Sequence, residues 1–179
     1  MSTGVIIAIV VAIIVVVAGL LLLANARRNR LRERFGPEYD RAVSEQPRRQ
    51  AERELGLREQ RVEELGIHPL SPVSRERYAQ KWLLVQEQFV DRPGPAVDEA
   101  DRLVNALMSE RGYPTESFDQ QAADLSVTHA STLDHYRAAH DIQTQNARTQ
   151  VSTERLREAM IRYRALFDDL LGSGPQPSH

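Results

Sequence analysis

The sequence predicts an all-α protein: an N-terminal transmembrane helix, a charged helical stalk and a compact bundle of four to five helices. Three observations predict it. Residues 5–24 are a run of Val, Ile, Leu and Ala, interrupted only by Gly19. From Pro72 onward, apolar residues recur at helical spacing between breaks made by Gly and Pro. No period-two segment of useful length competes with that pattern. The expected division is an anchor over 1–26, a basic collar and charged stalk over 27–69, the bundle over 70–171, and a disordered tail over 172–179.

The apolar run comes first. About twenty residues at about 1.5 Å each span a hydrocarbon core of about 30 Å. A helix satisfies its own backbone hydrogen bonds there, so β-branched residues are tolerated. Three features favour an anchor over a cleaved signal peptide. No Lys or Arg precedes the run, it exceeds the usual h-region of about 7–15 residues, and the strong charge lies on its C-terminal side. Ala24-Asn25-Ala26 has the A-x-A form of a cleavage site, so secretion after cleavage is the alternative. Gly4, Ala8 and Ala12 share one helix face, a small-residue spacing that lets two copies associate as a homodimer but that alanine-rich composition also produces.

The collar follows: Arg27, Arg28, Arg30, Arg32 and Arg34, opposed only by Glu33. Positive flanks stay in the cytoplasm. The expected topology is a short N-terminus outside and the soluble domain inside. The collar also suits anionic lipid headgroups, at about 1 kcal/mol per basic residue, although setting topology is a sufficient role.

Without the collar and Glu33, the 23 basic and 25 acidic residues become 18 and 24, a net charge of −6. A remainder of that sign argues against nucleic acid as a partner. Lys81 is the one lysine, and the absence of cysteine excludes disulfides, thiolate zinc sites and cysteine nucleophiles.

In the stalk, Gly36-Pro37 reads as a break and a new helix start. The chain over 48–65 is almost all charged or polar, with a thin stripe of Ala51, Leu55, Val62 and Leu65 interrupted by Arg58. Pairs such as Glu54 with Arg58 sit at i,i+4. The stripe permits a parallel coiled coil, but so polar a helix is expected to be a solvated, lone helix. Gly66-Ile67-His68-Pro69 ends it.

Ser71-Pro72 caps the next helix, which runs to about Val90 and places Tyr78, Trp82, Val85 and Phe89 on one face. After Pro93-Gly94-Pro95 a helix is expected from Ala96 to Arg111, with Val97, Ala100, Leu107 and Met108 buried. Asp98, Glu99 and Asp101 fall near its start and suit the helix dipole. Gly112 stops it. A short helix carries Phe118, Ala122 and Leu125, another runs over about 131–146, and Ser152 caps the last, whose apolar face is Leu156, Met160, Tyr163, Phe167 and Leu170. One-sided stripes must be buried against one another, and short connections imply antiparallel neighbours.

The stretches Leu70-Ser71-Pro72, Arg75-Glu76-Arg77-Tyr78, Trp82, Phe89-Val90-Asp91, Glu99-Ala100-Asp101, Arg111-Gly112-Tyr113-Pro114, Ala122 to Val127, His135 to His140 and Tyr163 to Phe167 stand out together. They resemble an uncharacterised family of bacterial, largely actinobacterial, membrane-anchored or secreted helical proteins. The resemblance covers roughly residues 70–171 and implies a membrane-tethered helical domain, with no activity attached. Such proteins often carry glycine before the last helix, and residues 146–151 here have none.

Candidate chemistry is sparse. His129, His135 and His140 cluster in sequence with Asp134 and Asp141. His135 and His140 point about 140° apart around a helix, and His129 and His140 stand about 16 Å apart along it, so neither pair chelates locally. A metal or catalytic site there needs ligands from other helices. No G-x-S-x-G elbow and no glycine-rich phosphate loop occurs. No catalytic residue, metal ligand or cofactor is therefore assigned. Arg77-Tyr78, Tyr136-Arg137 and Tyr163-Arg164 recur on three helices. This makes Tyr78, Tyr136 and Tyr163 candidates for a protein-binding surface, or else rings packed at the core edge with hydroxyls in water. Two functions remain: a membrane-tethered interaction or scaffolding module with an unknown protein partner, or an enzyme or metal-binding protein built around His129, His135 and His140.

Overall fold

A computed structural model describes residues 3–172, with the side chains of residues 3 and 5–9 excepted. Among the described residues there are eight α-helices and no strand. The tail expected over 172–179 lies outside them except for Gly172, which ends the last helix. The small-residue face rests partly on Ala8, which also lies outside the described side chains. The chain divides into two compact units, one through Gly56 and one from Leu57 onward.

In the first unit α1 spans Thr3–Phe35, 33 residues or about 50 Å of helix. It runs without a break through Ala24-Asn25-Ala26 and the arginine collar. Gly36, at φ 49, turns the chain into α2, Pro37–Glu45, with Pro37 in the first turn. Arg32 pairs with Asp40 of α2 at 3.5 Å. The third helix, α3, spans Arg48–Glu64. Tyr39 Oη donates to Glu52 Oε1 (2.9 Å), which also accepts from Arg48 Nε (2.9 Å).

The stalk departs from its expected solvation. Ala51, Leu55 and Val62 are buried and Leu65 is half-buried. The thin stripe is covered within this chain, which leaves no apolar seam for a coiled coil.

The second unit takes in the last two turns of α3 and five further helices: α4 Pro72–Asp91, α5 Pro93–Glu110, α6 Phe118–Thr128, α7 Ala130–Arg148 and α8 Thr153–Gly172. It begins before residue 70 because α3 is held by polar contacts that its composition conceals. Arg61 Nε donates to Asp124 Oδ1 of α6 (3.2 Å), and Arg58 Nη1 reaches Ser126 Oγ (3.5 Å). Asp124 is fully buried, so the guanidinium answers a charge that would otherwise be costly.

In the bundle, α5 packs on α4 and α8, and α7 packs on α8 and α6. The core joins Trp82, Val97, Leu107, Leu125, Leu133, Leu156, Leu166 and Leu170. Trp82 stacks on Phe167 at 4.6 Å between centroids. Ser71 Oγ accepts from Ser74 N (3.0 Å) and caps α4 as expected. The fifth helix starts at Pro93, not Ala96: both prolines fall in the first turn, where no N–H is required. That earlier start carries Asp98, Glu99 and Asp101 beyond the first turn, so they are not the dipole complement expected of them.

Candidate functional site: a polar cleft where helix ends meet

The ends of α3, α5, α6 and α8 and the start of α7 surround a cleft of about 830 Å³. Its walls are built by local rules. The C-terminus of α5 closes as a Schellman motif: Tyr113 N donates to Met108 O (3.0 Å) and Gly112 N to Ser109 O (3.0 Å). Gly112 holds φ 96, the left-handed turn that this motif needs and that a side chain disfavours. The turn aims the Arg111 side chain inward. Arg111 Nη1 donates to Leu170 O (2.9 Å) and Nε to His68 O (3.4 Å), while His68 N returns a bond to Arg111 O (3.0 Å). One guanidinium thus ties the α3–α4 turn to the end of α8. Its burial lowers its pKa, opposed by nearby Tyr113 and Asp169.

His129 caps α6 and leads into α7. Its side chain is 2% exposed, and Nδ1 lies 2.8 Å from Asp169 Oδ2 on α8. Thr132 Oγ1 donates to the same oxygen (2.7 Å). A carboxylate accepts, so the neutral ring carries its proton on Nδ1 and leaves Nε2 as an acceptor. Nε2 is buried and has no hydrogen-bond partner among the described residues. Glu63, Asp168, Tyr113, Thr128 and Ser131 complete the polar wall. Tyr113 Oη and Thr128 Oγ1 are 2.8 Å apart, and Asp168 accepts from Arg164 Nε (2.6 Å).

The three histidines singled out by sequence do not share a site. His129 is in the cleft. His135 is exposed. His140 stacks on Phe118 at 3.9 Å, with Nδ1 3.6 Å from Asp101 Oδ1. Among the described residues no group of three His, Asp or Glu side chains converges to hold a metal ion.

Asp101 instead organises a second polar cluster inside the bundle. Tyr163 Oη donates to Asp101 Oδ1 (2.8 Å), and Asn105 Nδ2 to Asp101 Oδ2 (3.2 Å). Asn105 Oδ1 accepts from Gln121 (2.7 Å), whose Oε1 accepts from Tyr136 Oη (2.9 Å). Four helices are joined through two tyrosine hydroxyls. The interaction surface expected at Tyr78, Tyr136 and Tyr163 is therefore not displayed: all three rings are buried. Tyr78 Oη donates to Ala106 O (3.0 Å) and Glu110 Oε2 (2.9 Å), so these hydroxyls meet protein acceptors rather than water or a partner.

Burial, reinforced by Glu110, pushes the Tyr78 pKa from 10.0 up to about 12. Burial also raises those of Tyr113, Tyr136 and Tyr163. The fold favours the neutral phenols, so their contribution is fully present below pH 10 and is lost as pH rises through the raised values. The melting temperature is expected to hold up to about pH 10 and fall between about pH 10 and 12. A thermal melt followed together with tyrosinate absorbance checks this, and a melting temperature unchanged to pH 12 would contradict it.

Sequence reasoning passed over Arg111, Asp169, Asp124 and Asp101 as organising residues. In the sequence Arg111 is the residue before a helix stop and part of one stretch of the family resemblance, and neither marks it as a tie between helices. Asp169 had one faint signal, a carboxylate beside the buried stripe of Leu166, Phe167 and Leu170. Comparison with protein-family models, curated proteins and solved structures gave no match.

Proposed function

We propose that this chain is a single-pass membrane protein whose helical bundle works in the cytoplasm as a tethered binding module, with the polar cleft as its ligand site. One observation carries the tether. Eleven large apolar side chains of α1 between Val10 and Leu23 are 48–72% exposed. They point in every direction around the helix, and the apolar window is not buried within the protein. A helix apolar on all sides belongs in a core or in lipid, and this one is in no core of its own chain. Leaving such side chains in water costs about 1.5–3 kcal/mol each. The collar on the same helix supports the inward orientation, and the resemblance to membrane-anchored actinobacterial proteins belongs to the same proposal.

The binding reading is supported by the cleft itself: Glu63, Arg111, Tyr113, His129, Asp168 and Asp169 line a space of about 830 Å³, large enough to take a ligand.

The cysteine-free sequence makes the test direct. Ser2→Cys and Glu87→Cys variants are treated, in separate samples of intact cells, with a membrane-impermeant maleimide. Expected is labelling at position 2 before lysis and at position 87 only after it, with both variants resisting alkaline carbonate extraction. Labelling at 87 in intact cells, or release by carbonate, overturns the reading.

A further inference from the structure

The cleft has a consistent chemical bias. Its walls present acceptors and carboxylates: Glu63, Asp169 and Asp168, the last already paired with Arg164, against the lining cation Arg111. Four helices, α3, α5, α6 and α8, end at it, and only α7 begins there. Helix C-termini carry partial negative charge, which favours cations. An independent observation points the same way. His129 Nε2 is buried with no hydrogen-bond partner among the described residues, in a ring whose other nitrogen faces Asp169, and in the neutral ring with its proton on Nδ1 it is an acceptor. The fold also shows what such a setting holds. Arg111 seats its guanidinium against the carbonyls of Leu170 and His68, beside Asp169.

We propose that the cleft binds a second cationic hydrogen-bond donor, a guanidinium or primary ammonium group, seated between the Glu63 and Asp168 rim and the His129–Asp169 pair. The inference rests on reading the bundle as a binding module. The volume of about 830 Å³ exceeds what one such group fills, so the ligand carries further atoms. It is either a small organic cation or an arginine or lysine side chain of a basic protein segment. Both donate N–H groups to carboxylates, carbonyls and Nε2, and differ in what lies beyond the charged head.

The test uses the full chain in nanodiscs and calorimetric titration at low and high salt. The probes are methylguanidinium at millimolar concentration, the uncharged isostere methylurea, and a capped peptide with arginine at its centre. Expected is saturable binding of methylguanidinium or of the peptide, weakened by salt, with none of methylurea. Tighter binding of the peptide assigns the ligand to a protein segment, and comparable binding assigns it to a small cation.

Asp169→Asn removes the group that orients His129 and risks the fold. The decisive variant is therefore Glu63→Gln with Asp168→Asn, whose sites are exposed or half-exposed. It is expected to weaken binding about tenfold, the equivalent of about 1.4 kcal/mol. A control of Glu76→Gln with Glu87→Gln, away from the cleft, should leave binding unchanged. No saturable binding, equal binding of methylurea, or equal loss in both double variants overturns the proposal. Because membrane sidedness is read separately by maleimide labelling, a failed titration leaves the tether standing, and a failed tether leaves the titration interpretable.

Discussion

Replacing Val15 and Val16 together by arginine is expected to move most of the protein out of the carbonate-resistant membrane fraction. Both side chains lie in the middle of the apolar stretch of α1, and both are at least 60% exposed. Each arginine at a helix centre costs about 2.5–3.5 kcal/mol for insertion. Leucine, isoleucine or valine each contributes only about 0.3–0.6 kcal/mol in favour. One arginine is therefore within what the whole run can offset, whereas two remove the gain of ten or more apolar residues. Val15→Leu with Val16→Leu should stay fully membrane-bound. Quantitative blotting of carbonate-washed membranes separates the outcomes. If the double arginine variant sedimented as completely as the parent, lipid would not be the solvent of this helix.

Trp82→Ala is expected to destabilise the bundle by about 3–5 kcal/mol, enough to leave a marginally stable domain largely unfolded. The indole is almost fully buried, lies flat on Phe167 and is faced by the Arg164 guanidinium at 5.8 Å. Its removal opens a cavity between α4 and α8 that neither helix can close without losing its other contacts. Trp82→Phe should behave differently. Nε1 has no hydrogen-bond partner among the described residues, so phenylalanine also removes a buried unsatisfied donor. Such a donor costs about 1–3 kcal/mol, which offsets part of the lost volume and leaves a net loss under about 2 kcal/mol. Urea denaturation followed by far-ultraviolet circular dichroism distinguishes the two. Equal losses for both substitutions would mean that the indole N–H has a partner after all.

These two residues mark how far the sequence could be read. Trp82 was assignable to a buried face because Tyr78, Val85 and Phe89 share it at helical spacing. That it lies on Phe167, 85 positions away, was not, since spacing reveals which side of a helix is apolar and not what covers it. The same limit explains the stalk. Ala51, Leu55 and Val62 were legible as a stripe, but too thin a one to predict burial. What docks the end of α3 is Arg61 on a buried Asp124, and polar partners leave no periodic signal. Tyr136 and Tyr163 were misleading for the converse reason. Tyrosine beside arginine has the composition of an interface, yet Gln121 and Asp101 accept those hydroxyls inside the bundle.

The sequence by itself determined the helical class, the apolar character of the first helix, the charge that follows it and nearly all the breaks between helices. These are local properties, set by hydrophobic period, proline, glycine and caps within a turn or two. Only the tertiary structure decided that His129 meets Asp169, 40 residues distant, that His135 and His140 go elsewhere, and that four helix ends converge on one cleft. Such pairings depend on how five helices pack at once, and each helix face accepts many partners until the others are in place.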